Sequence, residues 1–254
     1  MSEPASDIPT TGLPDWHLVI PVKDAAVGKS RLARALEEVE LGVRFGGGAE
    51  SARGPDRGPD RGPDRETIGR ALARDTLRAA CLTVGAERVV LVTTDEVIAT
   101  EFRDHGVTTV RDVGGGLNAA VALGLARTPP GGNVAALLGD LPALAPADLE
   151  HALRVAGTHG QSFVPDADGS GTVLRASSGQ PGHFTPRFGP RSAALHAVDG
   201  AVRLDLELPR LRTDVDDVRS LVRVLELGAG PSTTAALADL DLLGWAHAGH
   251  GPRL

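Results

Sequence analysis

The apolar residues of this chain come in strand-length runs that alternate with helical stretches, and that alternation restricts the fold more than any other feature. Trp16–Val22 (WHLVIPV), Arg88–Thr93 (RVVLVT), Val107–Arg111 (VTTVR) and Asn133–Leu138 (NVAALL) read as strands. The first is apolar almost throughout, without the polar alternation of a strand that has one face in water. Strands of that kind are covered on both faces, as in a parallel sheet. The spacing predicts helices over Lys29–Glu38, Glu66–Cys81, Glu96–Asp104, Asn118–Ala126 and Pro146–Ala156. Leu32, Ala35 and Leu36 share one face of the first, and Pro146 suits a first helical turn. Strands and helices in turn build right-handed βαβ units, so the expectation is a doubly wound α/β domain.

From Gln161 the texture changes. Gln161–Val164 and Thr172–Arg175 look like two strands around the turn DADGSG. Val202, Leu204, Leu206 and Leu208 alternate with Arg203, Asp205 and Glu207, which predicts a half-exposed strand. A closing helix is expected over Asp214–Leu227. The sheet is therefore expected to be mixed, mostly parallel with an antiparallel addition, in one domain over residues 15–230. Residues 1–14 read as a disordered tail and 231–254 as a C-terminal extension. Residues 46–65 contain GGG and then RGPD three times, at Arg53–Asp56, Arg57–Asp60 and Arg61–Asp64. Gly-Pro every four residues forbids a packed element, so a flexible insertion is predicted there.

Composition narrows the function. Hydrophobic residues make up 41% of the 254, but aromatics only 3%, so the core must be Ala, Val and Leu. A lone cysteine, Cys81, excludes a disulfide scaffold and a cysteine-based zinc site. No apolar run approaches the roughly 18 residues of a membrane span. The first 15 residues carry no Lys or Arg and no apolar block, unlike a secretory signal. A net charge of −7 argues against a general nucleic-acid binder. The expectation is a cytoplasmic enzyme or small-ligand binder with neither nucleic acid nor membrane as partner.

In an open α/β sheet, ligands sit beyond the carboxyl ends of the strands. After the first strand come Lys23, Lys29 and Arg31 in a loop leading to a helix start, the elements of a polyphosphate site or of a solvated basic turn. The tripeptide GKS is not a P-loop, because the glycine required five residues before Gly28 is Lys23. Thr94 and Asp95 follow the second strand, where Asp95 fits a helix cap or a ligand contact. Gly114, Gly115 and Gly116 permit close backbone approach to a ligand, and Asn118 fits a base, a ribose or a cap. Asp140 follows the apolar strand NVAALL, a position suited to Mg²⁺ or to a plain turn before Pro142. Asp214, Asp216 and Asp217 offer a second carboxylate source, or ordinary first-turn helix charge. DADGSG fails as a calcium loop because its twelfth position is Ser177. RFGPRS, at 187–192, is a plausible cradle for an anionic small molecule, and the eight histidines show no metal spacing.

PVKDAAVGKSRL (21–32), VTTD (92–95), GGGLNAAV (114–121), GDLPAL (139–144), DADGSGT (166–172), FTPRFGPRS (184–192) and TDVDD (213–217) follow one another in a familiar order. Over residues 16–227 the chain resembles the phosphoenolpyruvate / 2-phospho-L-lactate guanylyltransferases of coenzyme F-420 biosynthesis. The resemblance implies a three-layer α/β/α sandwich of the nucleotide-diphospho-sugar-transferase-like (Rossmann-like) kind. It implies that Lys23, Lys29 and Arg31 neutralise the GTP triphosphate and carry the catalysis. Thr94, Asp95, Gly115, Gly116 and Asn118 would meet the nucleotide. Thr172, Gly189 and Ser192 would hold the phosphate and carboxylate of the acceptor. Asp140 and Asp214 would hold Mg²⁺, with Asp216 competing for the second place.

The implied reaction moves GMP from GTP to phosphoenolpyruvate and releases pyrophosphate, with 2-phospho-L-lactate as the alternative acceptor. The Ala/Gly/Arg-rich composition resembles the actinobacterial branch, which uses phosphoenolpyruvate. The product would be handed to the next enzyme of the pathway. The oligomeric state stays open, a homodimer included. Two rival readings stand beside this one. Nucleotidyltransferases acting on sugar phosphates or molybdenum cofactor share the fold but usually open with LxGGxGxR after the first strand, where this chain has PVKDAAVGKSR. A nucleotide-binding regulatory module would use its acidic pairs only as helix caps. Loop-closure entropy grows slowly with length, so deleting residues 46–64 is expected to change unfolding free energy by about 1 kcal/mol or less, as read by denaturant titration.

Overall fold

The computed structural model describes residues 15–23, 32, 65–179 and 184–238. The expected tail, the RGPD insertion, Lys29, Arg31 and most of the Lys29–Glu38 helix lie outside the described residues. Leu32 is described, as a buried helical residue.

In chain order the elements are β1 (Trp16–Val22), α1 (Arg65–Val84), β2 (Val89–Thr93), α2 (Glu96–Asp104), β3 (Thr108–Arg111), α3 (Leu117–Leu125) and β4 (Asn133–Leu137). There follow α4 (Pro146–Ala156), β5 (Gln161–Pro165), β6 (Thr172–Ser177), α5 (Ser192–Val198), β7 (Val202–Arg203), α6 (Pro209–Arg212), α7 (Val218–Leu227) and α8 (Pro231–Ala236). The seven strands among the described residues form one sheet in the order β3-β2-β1-β4-β6-β5-β7. β1 runs parallel to both β2 and β4, and β2 runs parallel to β3. β6 is antiparallel to β4 and to β5, which pairs in parallel with β7.

The alternate residues of β1 explain its apolar run. Leu18 and Ile20 enter a core shared with Leu77 of α1, Ile98 of α2 and Leu149 of α4. Val19, between them, enters a separate core with Val121 of α3 and with Phe184 and Phe188. Both faces of the strand are thus covered by helix, which makes the molecule three layers deep. A third cluster, with Leu32, Leu72 of α1 and Val218, Leu221 and Val224 of α7, seats α7 against α1.

Two expectations are corrected. The strand expected over 202–208 is only Val202–Arg203. The Leu204 N–H donates to the Phe163 carbonyl at 2.8 Å, and the chain then leaves the edge of the sheet. Leu204, Leu206 and Leu208 all pack into the first core, and Pro209 starts α6. The alternation was therefore not that of a half-exposed strand. The helix expected from Asp214 begins at Val218. Asp217 is its N-cap, with its Oδ1 accepting from the Ser220 N–H at 2.9 Å in a reciprocal capping box. Asp214 and Asp216 are thereby left in an irregular segment ahead of the helix.

Past residue 230 the chain stays packed. The buried Asp75 carboxylate on α1 accepts from the Ser232 and Thr233 N–H groups at 3.0 and 2.7 Å, at the start of α8. The packed unit therefore reaches at least Leu237, which lies in the third cluster.

Gly139, just after β4, sits so close to β1 that a Cβ would lie 2.7 Å from Val22 Cγ2 and 2.8 Å from the Pro21 carbonyl oxygen. A backbone oxygen cannot yield as a flexible side chain would. Gly139→Ala is expected to destabilise the protein by about 1–3 kcal/mol in denaturant unfolding, because the two strand ends must separate.

Candidate active site

A cavity of about 560 Å³ opens beyond the carboxyl ends of β1 and β4. These two strands are neighbours, and the chain winds away from β1 through β2 and β3 on one side and from β4 into β6 and β5 on the other. Such a reversal leaves a crevice between the loops that follow the two strands. β1 contributes Lys23 to its wall, and β4 contributes Gly139 and Asp140. Asp214 and Asp216 enter from the segment before α7. The far wall is built by Thr172, Gly189 and Ser192. Of the expected substrate and metal residues, all that are described meet here.

The acidic segments are brought together by backbone bonds. The Val215 N–H donates to the Asp140 carbonyl at 3.1 Å. The next residue, Leu141, donates its N–H to the buried Thr76 hydroxyl on α1 at 2.9 Å. Asp140, Asp214 and Asp216 each offer a carboxylate oxygen, and these atoms lie within 4.8 Å of one another. Asp140 and Asp214 are half-buried and Asp216 is exposed. All three oxygens are hard donors, which suits a divalent cation such as Mg²⁺. Asp214 and Asp216 thus both reach the cluster, rather than one in place of the other.

The far wall is a folded turn against a short helix. The Asp166 carboxylate accepts from the Ser170 and Gly171 N–H groups at 3.0 and 2.8 Å, closing the turn between β5 and β6. The Ser170 carbonyl then accepts from the Ala193 N–H at 3.1 Å, tying the turn to α5. Arg191, ahead of α5, has φ 59°, and it is the one non-glycine residue at positive φ among the described residues. Backbone of that kind is strained and tends to gather at functional sites.

The residues expected near the nucleotide have clear local tasks. Asp95 caps α2, its Oδ1 accepting from the Val97 and Ile98 N–H groups at 3.0 and 3.3 Å. Its Oδ2 accepts from Arg70 Nε at 2.8 Å, so the cap reading holds. Thr94 lies beside it, between β2 and α2. Gly115 and Gly116 are exposed and have φ of 95° and 84°, a conformation side chains resist. The Asn118 side chain is committed to the backbone of Phe188: its Nδ2 donates to the carbonyl at 3.0 Å and its Oδ1 accepts from the N–H at 2.7 Å. That clasp joins the start of α3 to the loop carrying Gly189 and Ser192.

His196 was not anticipated from the sequence. It lies on α5, four residues after Ser192, and is wholly buried. Its Nδ1 is 3.0 Å from the Thr172 hydroxyl. Burial pushes its pKa down to about 4, with the nearby Arg175 guanidinium acting in the same direction. Arg175 is itself buried, donates to the Ser162 and Ala176 carbonyls and stacks on Phe184. Only recognition of α5 as a helix would have pointed to His196, by its i,i+4 relation to Ser192.

The comparisons with known proteins bear on the family and the fold. Residues 66–211 match the MobA-like NTP transferase domain, so the chain is a nucleotidyltransferase. The crystal structure of a protein described as a nucleotide-diphospho-sugar transferase, from Desulfovibrio desulfuricans G20, superposes with a TM-score of 0.54 at 13% identity, covering 93% of this chain and 96% of that one. The phosphoenolpyruvate guanylyltransferase of Salinispora arenicola is 40% identical over 222 residues, 86% of this chain and 91% of its own. That of Thermomonospora curvata is 40% identical over 231 residues, 89% and 90% respectively. The chain belongs to the phosphoenolpyruvate guanylyltransferase family. Among the described residues, no helix is long and apolar enough to cross a membrane.

His196 makes a testable contribution to stability. Its pKa falls from 6.5 to about 4 on folding, so the unfolded chain takes up the proton first. The stability held by the neutral ring is complete above pH 6.5 and is lost as the pH falls toward 4. In denaturant unfolding across that window, His196→Asn is expected to show a shallower fall in stability than the parent protein.

Proposed function

We propose that the protein transfers GMP from GTP to phosphoenolpyruvate with release of pyrophosphate, giving enolpyruvyl-diphospho-5'-guanosine for coenzyme F-420 biosynthesis. One observation carries this reading: an acidic triad and a pocket of buried hydroxyls face the same cavity at the sheet's switch point. A nucleotidyl transfer needs both, one for the nucleotide's phosphates and one for the acceptor.

A phosphate oxygen of phosphoenolpyruvate attacks the α-phosphorus of GTP. A new P–O bond forms, the bond from the α-phosphorus to its bridging oxygen breaks, and pyrophosphate leaves with that electron pair. The acceptor phosphate is already ionised near neutral pH, so the protein supplies no strong base. Both reactants are polyanions, and the protein's task is to neutralise and align them. Asp140, Asp214 and Asp216 would hold Mg²⁺, which when bound offsets phosphate charge and polarises the P–O bonds. Lys23, with Lys29 and Arg31 outside the described residues, faces the triphosphate. With Asn118 committed to Phe188, approach to the guanosine falls to the backbone of Gly115 and Gly116. Thr94 and Asp95 would meet the nucleotide from the turn between β2 and α2. Thr172 and Ser192 offer hydroxyls to the acceptor, and the open backbone at Gly189 makes room for it.

Pyrophosphate release from GTP is the direct test, with phosphoenolpyruvate and 2-phospho-L-lactate compared as acceptors. Release with phosphoenolpyruvate supports the reading, faster release with 2-phospho-L-lactate moves the acceptor, and none with either defeats it. Asp140→Asn keeps the shape and removes a charge that balances the cation. It is expected to slow turnover by about 100-fold or more. The melting temperature without metal should stay level or rise, because repulsion within the triad is relieved. Near-normal turnover of this variant in Mg²⁺ would remove the metal assignment.

A further inference from the structure

Thr172 lies at the first position of β6, buried, and is one of the residues that line the cavity. A β-branched side chain in a strand has few rotamers, so its oxygen is already confined. Direction of the hydroxyl proton is a separate matter, and it depends on the polar atom with which the hydroxyl is paired among the described residues, His196 Nδ1 at 3.0 Å. We infer that His196 is a positioning residue that turns the Thr172 hydroxyl toward the acid substrate and so sets affinity for the acceptor. The inference rests on the acceptor pocket proposed above.

The environment of the ring supports the assignment. Phe163 and Phe188 flank it, with ring centroids 5.7 and 5.4 Å away. Its Nε2 is buried and has no hydrogen-bond partner among the described residues. An imidazolium would place an unpaired charged N–H in that apolar setting beside Arg175, and accordingly the ring stays neutral at ordinary pH. A neutral imidazole has one donor nitrogen and one acceptor nitrogen. With the proton on Nδ1, the ring donates to Thr172 Oγ1 and the threonine proton is free to point into the cavity. There it meets a phosphate or carboxylate oxygen, which can only accept. With the proton on Nε2, the threonine proton turns back to Nδ1 and only lone pairs face the anion. An anionic acceptor therefore selects the first tautomer. His196 touches neither substrate in this arrangement and acts through Thr172 alone.

A ring kept only for its bulk makes the opposite forecast, and three variants separate the two. His196→Leu keeps apolar volume and loses Nδ1. His196→Asn carries a polar atom where Nδ1 stands, and His196→Gln places its amide near Nε2. Steady-state pyrophosphate release gives the KM for each substrate, and calorimetric titration with phosphoenolpyruvate gives affinity without turnover. His196→Leu is expected to raise the phosphoenolpyruvate KM and Kd by about 10-fold or more, since a bond to a charged group is lost, with the GTP KM within about 2-fold. His196→Asn should restore most of the affinity and His196→Gln should not. In a Thr172→Val background, the His196→Leu change should have no further effect.

An unchanged phosphoenolpyruvate KM in His196→Leu overturns the inference, as does an equal loss of both substrates. If His196→Leu does not fold, the contrast between Asn and Gln decides, and equal affinities of these two overturn it. If the parent protein binds phosphoenolpyruvate but releases no pyrophosphate, the proposed reaction falls while the Kd comparison still judges His196. If it binds no phosphoenolpyruvate, both fall.

Discussion

Everything at the active site depends on two parallel strands, β1 and β4, lying side by side while the chain departs from them toward opposite edges of the sheet. Helices α1 and α2, which carry the chain from β1 outward, share one core, and α3, which brings it back to β4, lies in another. Right-handed crossovers in opposite directions must use opposite faces, so no crossover covers the gap at the strand ends. The cavity is that gap. Its walls approach closely enough that Gly139 has no room for a side chain beside Pro21 and Val22.

Electrostatics give the gap its chemistry. Three carboxylates whose oxygens lie within 4.8 Å of one another repel, and the chain as a whole is negative by seven charges. Two backbone bonds help hold them in place: the Val215 N–H on the Asp140 carbonyl, and the Leu141 N–H on Thr76. The fold thus brings three carboxylates together from two separate segments of the chain. Lys23 stands on the same wall, so the site presents anion-binding and cation-binding groups together. That combination suits a phosphate chain accompanied by a divalent ion.

How much of this was legible in the sequence follows from the range of each interaction. The unbroken apolar run of β1 announced a strand covered on both faces, and Asp140 after β4 could be placed because strand ends mark ligand sites. The Leu204–Leu208 alternation misled because a period of two cannot distinguish a strand from a chain that folds back at Leu204 and buries the later leucines beside Leu211. Asp214 and Asp216 read equally as a carboxylate source or as first-turn helix charge, and only the cap between Asp217 and Ser220 shows where α7 begins. The pairing of His196 with Thr172 was out of reach, because the two are 24 residues apart and no spacing rule links them. Asn118 was read as a cap or a base contact for the same reason, its partner lying 70 residues on.

The clasp between Asn118 and Phe188 distributes mutational risk unevenly. Asn118 grips the N–H and the carbonyl of Phe188, groups that nearly every amino acid supplies in the same place. The codon for residue 188 can therefore drift, proline aside, without loosening the grip, limited only by how its side chain fills the core. The codon for residue 118 has no such latitude. Aspartate lacks the donor, serine lacks the reach, and glutamine carries its amide one methylene too far. Asn118 thus fastens the start of α3 to the segment carrying Phe188 and Gly189, and genetic variation that spares it leaves that attachment intact.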